Sequence, residues 1–186
     1  MSKDGGNNDL YYEVGTSLSV MRVESPLVVG GTYGGGKVAY ILQSGDPGYV
    51  EGVQKGFITT LTMQSNAAYG CYNTSMAGAD GTAIGTGYQN TLDAVAGCAT
   101  AGTAAKVARA VTDGGYTDWY LPSKDELNKL YLNRVAIGGF PSGTLFTWSS
   151  SESDSIGAWR HSFYDGTQDS LYNKSAGGYV RAIRSF

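Results

Sequence analysis

A group of serines, one histidine and two aspartates near the C-terminus could support nucleophilic catalysis by residue type. Ser149–Ser151 are candidate nucleophiles, His161 is the one histidine of the chain, and Asp165 and Asp169 follow it. In contact, a serine, a histidine and an aspartate would activate the serine hydroxyl. No Gly-x-Ser-x-Gly elbow accompanies these serines, and the chain is rich in serine, so the set is close to chance. We therefore predict that the chain is not an enzyme.

Carboxylates scattered along the sequence are oxygen donors for a calcium ion: Asp46, Asp80, Asp118, Glu152 and Asp154. None of them has an EF-hand-like or otherwise diagnostic spacing. A single histidine excludes a His-rich metal site, and no Cys-x-x-Cys pair occurs. We predict no metal and no cofactor, with calcium as the alternative, and expect Asp118 and Glu152 to fix loops through hydrogen bonds.

The glycine-rich stretch from Gly30 to Lys37 has some of the spacing of a phosphate-binding loop. Lys37 is followed by valine where that motif has serine or threonine, and no helix pattern follows it. A hairpin turn is the better interpretation.

Cys71 and Cys98 are the two cysteines of the chain. They could form one disulfide, which on the chain-entropy model contributes about 3 kcal/mol, or remain two separate buried thiols. The residues alone leave both alternatives open. If the protein is exported, we expect the two Cα atoms to lie within about 7 Å.

Composition restricts the partners. The chain has 186 residues, a net charge of −3 and no cluster of lysine and arginine, which argues against nucleic acid as a partner. No apolar run is long enough to cross a bilayer, and the first residues lack the apolar core of a signal peptide, so we expect no membrane insertion. The ligand, the oligomeric state and whether residues 1–25 are native stay open.

The elements that would position these residues follow from hydrophobic periodicity. Residues 1–25 are polar and then weakly alternating, which predicts a lead-in strand or linker that ends at Pro26, before one domain at 26–186. Residues 27–31 and 34–42 predict a hairpin around a glycine-rich turn. Residues 49–89 read as ordered irregular loop.

Two helices and several short strands follow. Apolar spacing predicts the first helix over 102–112. The second starts at a capping box in which Ser123 and Glu126 bond each other's backbone N–H groups, and it is expected to end at Gly138–Gly139. Short strands are expected at 146–149, 158–163 and 178–183, the last adjacent to a strand from the start of the domain. This order gives an α+β fold.

Several motifs are familiar together: YTDWYLPSKDELNKLY at 116–131, WSSSE at 148–152, AW at 158–159 and VRAIRSF at 180–186. With GADGTAIGTG at 78–87, between Cys71 and Cys98, they resemble the DUF1566 or Lcl-like C-terminal domain family over about residues 27–186. That resemblance implies a C-type-lectin fold of the formylglycine-generating-enzyme-like subclass, with a small twisted antiparallel sheet, two helices and long ordered loops. Members of the family include bacterial surface adhesins.

A subset of the family serves as targets of diversity-generating retroelements, and this chain resembles that subset most. These elements scramble adenines, mainly in AAC or AAT codons, so that varied positions never become Lys, Gln, Glu, Met or Trp. Trp159, Gln168 and Lys174 are of these unreachable types and coincide with fixed positions of the family. The resemblance implies a variable region at about 148–186 whose candidate ligand-binding positions are Ser155, Ile156, Arg160, His161, Tyr164, Asp165, Thr167, Asp169, Ser170, Leu171, Tyr172, Ser175, Ala176, Gly177 and Gly178.

Large rings supply the complementary scaffold. Trp119, Trp148, Trp159 and Phe163 have the size expected of core anchors, whereas the stretches 164–167 and 169–172 are turn-like and would place mixed side chains in water. Rigid scaffolds that present Tyr, Ser, Asp and Gly are how antibody paratopes bind.

The function predicted from the sequence is recognition of a protein or cell-surface ligand by a diversified surface, at the cell surface, outside the cell or on a phage particle. Retroelement partners, which act on nucleic acid during diversification, need not bind this chain. One alternative is a non-diversified adhesin that binds a glycan or matrix. The other is a formylglycine-generating-type enzyme, which would need a reactive cysteine pair late in the chain, whereas both cysteines precede the two predicted helices.

Overall fold

The structure is a computed structural model that describes residues 25–140, 143 and 146–186, and the backbone of three strands before them. These strands are β1 (Ser2–Lys3), β2 (Asp9–Val14) and β3 (Ser17–Arg22). They pair antiparallel in the order β1-β2-β3. The strand signal around Leu18 and Val20 lies in β3.

The described residues from 25 onward contain a further set of short strands. They are β4 (Thr32–Tyr33), β5 (Gly36–Ile41), β6 (Gly56–Thr59), β7 (Gln64–Ala68), β8 (Phe146–Glu152), β9 (Gly157–Ser162), β10 (Gln168–Asn173), β11 (Gly177–Val180) and β12 (Ile183–Ser185). The helices between them are α1 (Gly87–Gly97), α2 (Ala104–Arg109), α3 (Lys124–Leu132) and α4 (Arg134–Ile137), with a 3₁₀ turn at Asp113–Gly115. The mixed α+β class is confirmed.

Two sheets organise these strands. One has four antiparallel strands in the order β12-β6-β5-β4, and the other has five in the order β10-β9-β8-β11-β7. In the four-stranded sheet Ile183 lies opposite Thr59, which confirms that the end of the chain pairs with a strand from the start of the domain. In the five-stranded sheet β8, β9 and β10 form an antiparallel meander, and β11 runs parallel to β8.

Two clusters of buried side chains fill the space around the sheets. The first surrounds Trp119 and Trp148, and α1 and α2 contribute small alanines to it. The second brings Leu127 and Leu130 of α3 against Phe163. Each fully buried leucine contributes about 1.5–3 kcal/mol by leaving water, so α3 is fixed firmly against the sheet.

The second predicted helix is confirmed at its start. Ser123 Oγ accepts a hydrogen bond from Glu126 N–H, and Glu126 Oε2 accepts one from Ser123 N–H at 2.8 Å. The helix ends at Leu132 rather than at Gly138–Gly139. The short helix α4 lies between Leu132 and Gly138. The first predicted helix exists but is shorter than 102–112, since α2 ends at Arg109.

The predicted hairpin has its first strand in the wrong place. Residues 27–31 form no strand, because Gly30 has φ +86° and Gly31 N–H donates to Val28 O at 2.9 Å, which makes a turn. The first strand of the hairpin is β4, which begins at Thr32. It pairs with β5 across a turn at Gly34 and Gly35.

Three elements within the stretch 49–89 were not predicted. Strands β6 and β7 and the start of α1 lie in the stretch 49–89, which was expected to be irregular, although residues 69–86 do form an ordered loop without strands or helices. Strand β6 is buried on both faces and therefore shows no alternation, whereas β7 (QSNAA) is polar. Helix α1 has no side-chain cap, no acid in its first turn and no base in its last.

The predicted closing strand at 178–183 is split between the two sheets. Strand β11 ends at Val180 and β12 begins at Ile183, and the residues between them are buried. The buried Arg181 guanidinium donates from Nη1 to Gly139 O at 2.7 Å and from Nε to Thr59 Oγ1 at 3.1 Å. Desolvation lowers the pKa of Arg181 to about 10. The chain thus changes sheets at Arg181, which period-two alternation could not reveal.

The ordered loop at 69–86 is joined to the end of α1. Cys71 and Cys98 form a disulfide with their Cα atoms 5.7 Å apart. Tyr69 Oη donates to Ser150 O at 2.8 Å, so the start of the loop is also tied to β8.

No helix among the described residues is long and apolar enough to span a membrane.

Candidate functional site

The meander of β8, β9 and β10 carries most of the predicted ligand-binding positions. We define its display surface by the predicted positions that are solvent-exposed in the β8–β9 turn, the β9–β10 turn and strand β10: Ile156, Tyr164, Asp165, Thr167, Leu171 and Tyr172. Leu171 is the most exposed of its large apolar side chains, with 88% of its surface accessible, and Tyr164 has 66%. A large aliphatic and a large aromatic side chain in water mark a contact surface better than polar residues would.

The β9–β10 turn is held by its own backbone. Ser162 N–H donates to Thr167 O at 2.9 Å, and Gly166 N–H donates to Ser162 O at 3.0 Å. Asp165 Oδ1 accepts from Thr167 N–H at 3.0 Å, and this bond lowers the pKa of Asp165. Gly166 has φ +85°, and a Cβ there would lie 2.7 Å from Tyr131 Oη, so glycine is required. Tyr164 is therefore displayed on a rigid turn.

A bulge in β10 turns Leu171 outward. The pairing register with β9 shifts between Asp169 and Tyr172, so two residues of β10 oppose one of β9. Asp169 Oδ1 accepts from Leu171 N–H at 2.8 Å, which fixes the bulge and is the main cause of the lowered pKa of Asp169.

Arg160 lies between two aromatic rings beneath the display surface. Its guanidinium carbon is 3.5 Å from the Phe146 ring centroid and 3.2 Å from the Tyr172 centroid, and those rings are nearly parallel. Nη2 also donates to Asp169 Oδ2 at 3.0 Å. Planar guanidinium stacks on aromatic faces in a way that a lysine ammonium cannot. The stack links β8, β9 and β10 into one platform.

The β8–β9 turn is anchored from below by an ion pair. Lys174 is fully buried, its Nζ contacts Glu152 Oε1, and it donates to Thr74 O at 2.7 Å. Glu152 Oε2 accepts from Met76 N–H at 2.8 Å, as expected for a carboxylate that fixes a loop. Above them Asp154 Oδ1 accepts from the N–H groups of Ile156 and Gly157, bonds that lower the pKa of Asp154.

Two predicted display positions are not available to a ligand. His161 is fully buried, with its ring centroid 4.7 Å from that of Tyr131. Gly178 is buried against Trp148, and a Cβ there would lie 2.6 Å from Trp148 Nε1. Both predictions were wrong because residue type carries no information on which face of a strand is covered.

The remaining predicted positions differ in exposure. Ser175 and Gly177 are exposed beside the β10–β11 turn, although Gly177 faces the Asn66 side chain closely. The half-buried positions contribute only part of their surface: Ser155, Arg160, Asp169, Ser170 and Ala176.

Three of the four predicted scaffold rings are buried, namely Trp119, Trp148 and Phe163. Trp148 Nε1 also donates to Ala67 O at 3.1 Å. Trp159 is half-buried, and the prediction that it is a core anchor was wrong. The Lys124 ammonium lies over the Trp159 ring, 4.5 Å from the ring centroid. Sequence spacing gave no signal for this pair, because the two residues lie on different elements.

The serine, histidine and aspartate groups do not contact one another. Ser149 Oγ donates to Trp159 O at 2.9 Å, and Ser151 Oγ donates to Gly81 O at 2.6 Å. The His161 ring nitrogens face Ser162 O and Asn128 Oδ1. Burial lowers the pKa of His161.

The carboxylates considered for calcium are dispersed. Asp118 pairs with Arg184 at 2.6 Å, and Asp46 accepts from Tyr40 Oη at 2.7 Å. Within residues 25–140, 143 and 146–186, no three His, Cys, Asp or Glu side chains are grouped so as to hold a metal.

The match to a known family covers most of this architecture. Residues 58–184 match the Lcl C-terminal domain family. The chain belongs to this family. The matched span of the Lcl domain holds β7 to β11, the disulfide and the whole display surface. This confirms the Lcl-like resemblance.

A solved structure shares the fold. A fimbrial protein from Bacteroides ovatus ATCC 8483 superposes with a TM-score of 0.50 over 97% of this chain at 14% identity. The Lcl chain covers 48% of that protein, and so spans about half its length. None of the curated proteins matches the chain.

Proposed function

We propose that this Lcl domain is a ligand-binding protein of C-type-lectin fold, and that its display surface recognises a protein or a cell-surface ligand. One observation carries the proposal. The exposed side chains of this surface stand on turns and a bulge whose hydrogen bonds come from the backbone, Asp154, Asp165 and Asp169. Tyr164 and Leu171 therefore present contact area without supporting the fold.

Membership in the Lcl family and the likeness to a fimbrial protein support a place at the cell surface, outside the cell or on a phage particle. In this proposal the chain binds and does not catalyse. The two cysteines that a formylglycine-generating-type reaction would need are joined to each other, and they lie before α2 and α3.

Diversification by a retroelement is the finer part of the proposal. The exposed residues of the display surface are all of types reachable from AAC or AAT codons, whereas Gln168 and Lys174 are unreachable types that hold the scaffold. Gln168 Nε2 donates to Lys124 O at 3.1 Å, and Lys174 anchors the β8–β9 turn. The exposed display residues are thus all of changeable types, while the unchangeable Lys174 is buried and Gln168 and Trp159 are half-buried.

The alternative is a non-diversified adhesin that uses the same surface for a fixed glycan or matrix ligand. Sequencing the genomic DNA downstream of the gene separates the two. A near-copy of the 3′ end that differs only at adenines, beside a reverse-transcriptase gene, establishes diversification. A neighbourhood without either feature leaves the adhesin as the function.

Binding itself is tested on glycan arrays and cell-surface protein arrays with the labelled full chain. We expect the double variant Tyr164→Ala, Leu171→Ala to lose at least about tenfold in affinity for each ligand found, because exposed hot spots are worth 1–2 kcal/mol each. Val135→Ala is the matched control, since Val135 is 90% exposed on α4. Equal binding by the double variant and the control would place the ligand site elsewhere.

A further inference from the structure

A second concave region lies away from the display surface, beside the four-stranded sheet. This cleft has a volume of about 770 Å³, and segment 25–27, the end of β5, the loop between β5 and β6, and Phe186 form its walls. None of the side chains that line it, all within the described chain, is charged. A buried charge without a partner is costly, so such walls favour an uncharged ligand.

Apolar side chains around the cleft are exposed. Tyr49, Val50 and Val53 of the loop are exposed, and so is Tyr33 of the edge strand β4. Tyr33 packs edge-on against Phe186 with ring centroids 5.3 Å apart. Exposed aliphatic and aromatic groups grouped around a concavity mark a binding site.

Glutamine carboxamides occupy the backbone groups of the cleft wall. Gln54 Oε1 accepts from Leu27 N–H at 2.8 Å, while Gln54 Nε2 donates to Leu27 O at 3.0 Å. Likewise Gln43 Nε2 donates to Ile41 O at 2.8 Å. A carboxamide carries the donor and acceptor of a peptide group, so Gln54 bonds Leu27 as the backbone of a neighbouring peptide would.

We propose that this cleft binds an extended, uncharged peptide segment of another protein. The donor and acceptor of one of its peptide groups replace the Gln54 carboxamide on Leu27, and its apolar side chains contact Val50 and Val53. A neutral saccharide fits less well, because the exposed valines offer a sugar no hydrogen bonds. This ligand is additional to that of the display surface.

In the experiment, the full ¹⁵N-labelled chain is titrated with a capped heptapeptide of alternating threonine and valine. Binding is measured from the changes in the amide chemical shifts of the chain. We expect the largest shifts at residues that line the cleft, above all Leu27. Gln54→Ala should tighten binding roughly threefold to tenfold, since the peptide no longer displaces a hydrogen-bonded group. Val53→Asp should weaken it at least about tenfold, whereas Val135→Asp, at a more exposed site outside the cleft, should not.

Two matched probes decide the class of ligand. The same heptapeptide with alternate amides N-methylated keeps the side chains but loses backbone donors, and it should not bind. A neutral hexasaccharide should leave the cleft amides unshifted. Binding of the methylated peptide, saccharide shifts in the cleft or no peptide shifts at all would each overturn the proposal. Display-surface variants should leave peptide binding unchanged, so this result and the array result fail independently.

Discussion

His161 is a titratable ring in a buried position. Burial is the main cause of its lowered pKa, so the unfolded chain, with an ordinary pKa of about 6.5, binds the proton more tightly than the folded one. Stability should therefore fall as pH drops below about 6.5. Urea midpoints measured at steps between about pH 7.5 and 5 test this.

The matched variant for that prediction is His161→Gln, which keeps a polar planar side chain and cannot titrate. Its stability should change less over the same range. Glu126 has a raised pKa, again through burial, and Asp165 and Asp169 have lowered ones. These carboxyls remain in both proteins, so the difference between the two curves belongs to His161. Parallel curves would contradict the prediction.

The two tryptophans of the meander should differ in their contribution to stability. Trp148→Ala removes a buried ring and its hydrogen bond to Ala67 O, and should cost about 3–5 kcal/mol in free energy of unfolding. Trp159→Ala should cost clearly less because its ring is half-buried, and Leu171→Ala should stay within about 0.5 kcal/mol. Thermal and urea melts of the three variants give the order, and equal losses would make the display residues part of the core.

At the scale of elements, the capping box is the clearest local signal. The Ser123 hydroxyl accepts from Glu126 N–H and donates to Ala83 O at 2.8 Å, so it joins α3 to the ordered loop. Ser123→Ala should lower the free energy of unfolding by about 1–2 kcal/mol, whereas Ser175→Ala, at an exposed turn position, should not. Circular dichroism during urea unfolding measures both, and a stable Ser123→Ala variant would show that the cap is dispensable.

Elements with local chemistry could be predicted from the sequence, and those defined by partners could not. The start of helix α3 was predicted correctly because its capping box is formed by residues within the stretch 123–126. Strand β10 was expected to be turn, because its polar sequence QDSLYN pairs only through β9. Likewise Arg160 was identified as a site residue by type, whereas its position between Phe146 and Tyr172 depends on three strands meeting.

At the scale of the whole molecule, the disulfide covalently joins two positions that are distant in sequence. The Cys71–Cys98 bond spans 27 residues, and on the chain-entropy model it contributes about 3–4 kcal/mol by restricting the unfolded chain. The double variant Cys71→Ser, Cys98→Ser should therefore melt at a lower temperature, and dithiothreitol should lower the melting temperature of the native chain but not of the variant. Unchanged melting in both would show that the bond adds nothing.

The Lys174 ammonium is a cation that belongs to the chain itself. It joins the carbonyl of Thr74 to the Glu152 carboxylate, which is a role that a dissolved ion with oxygen ligands could fill in a loop-rich protein. A side chain cannot be diluted, exchanged or extracted by a chelator. The fastening of the loop at 69–86 to β8 is thus set when the chain folds, and the display surface above it should keep its shape whatever the calcium content of the surroundings.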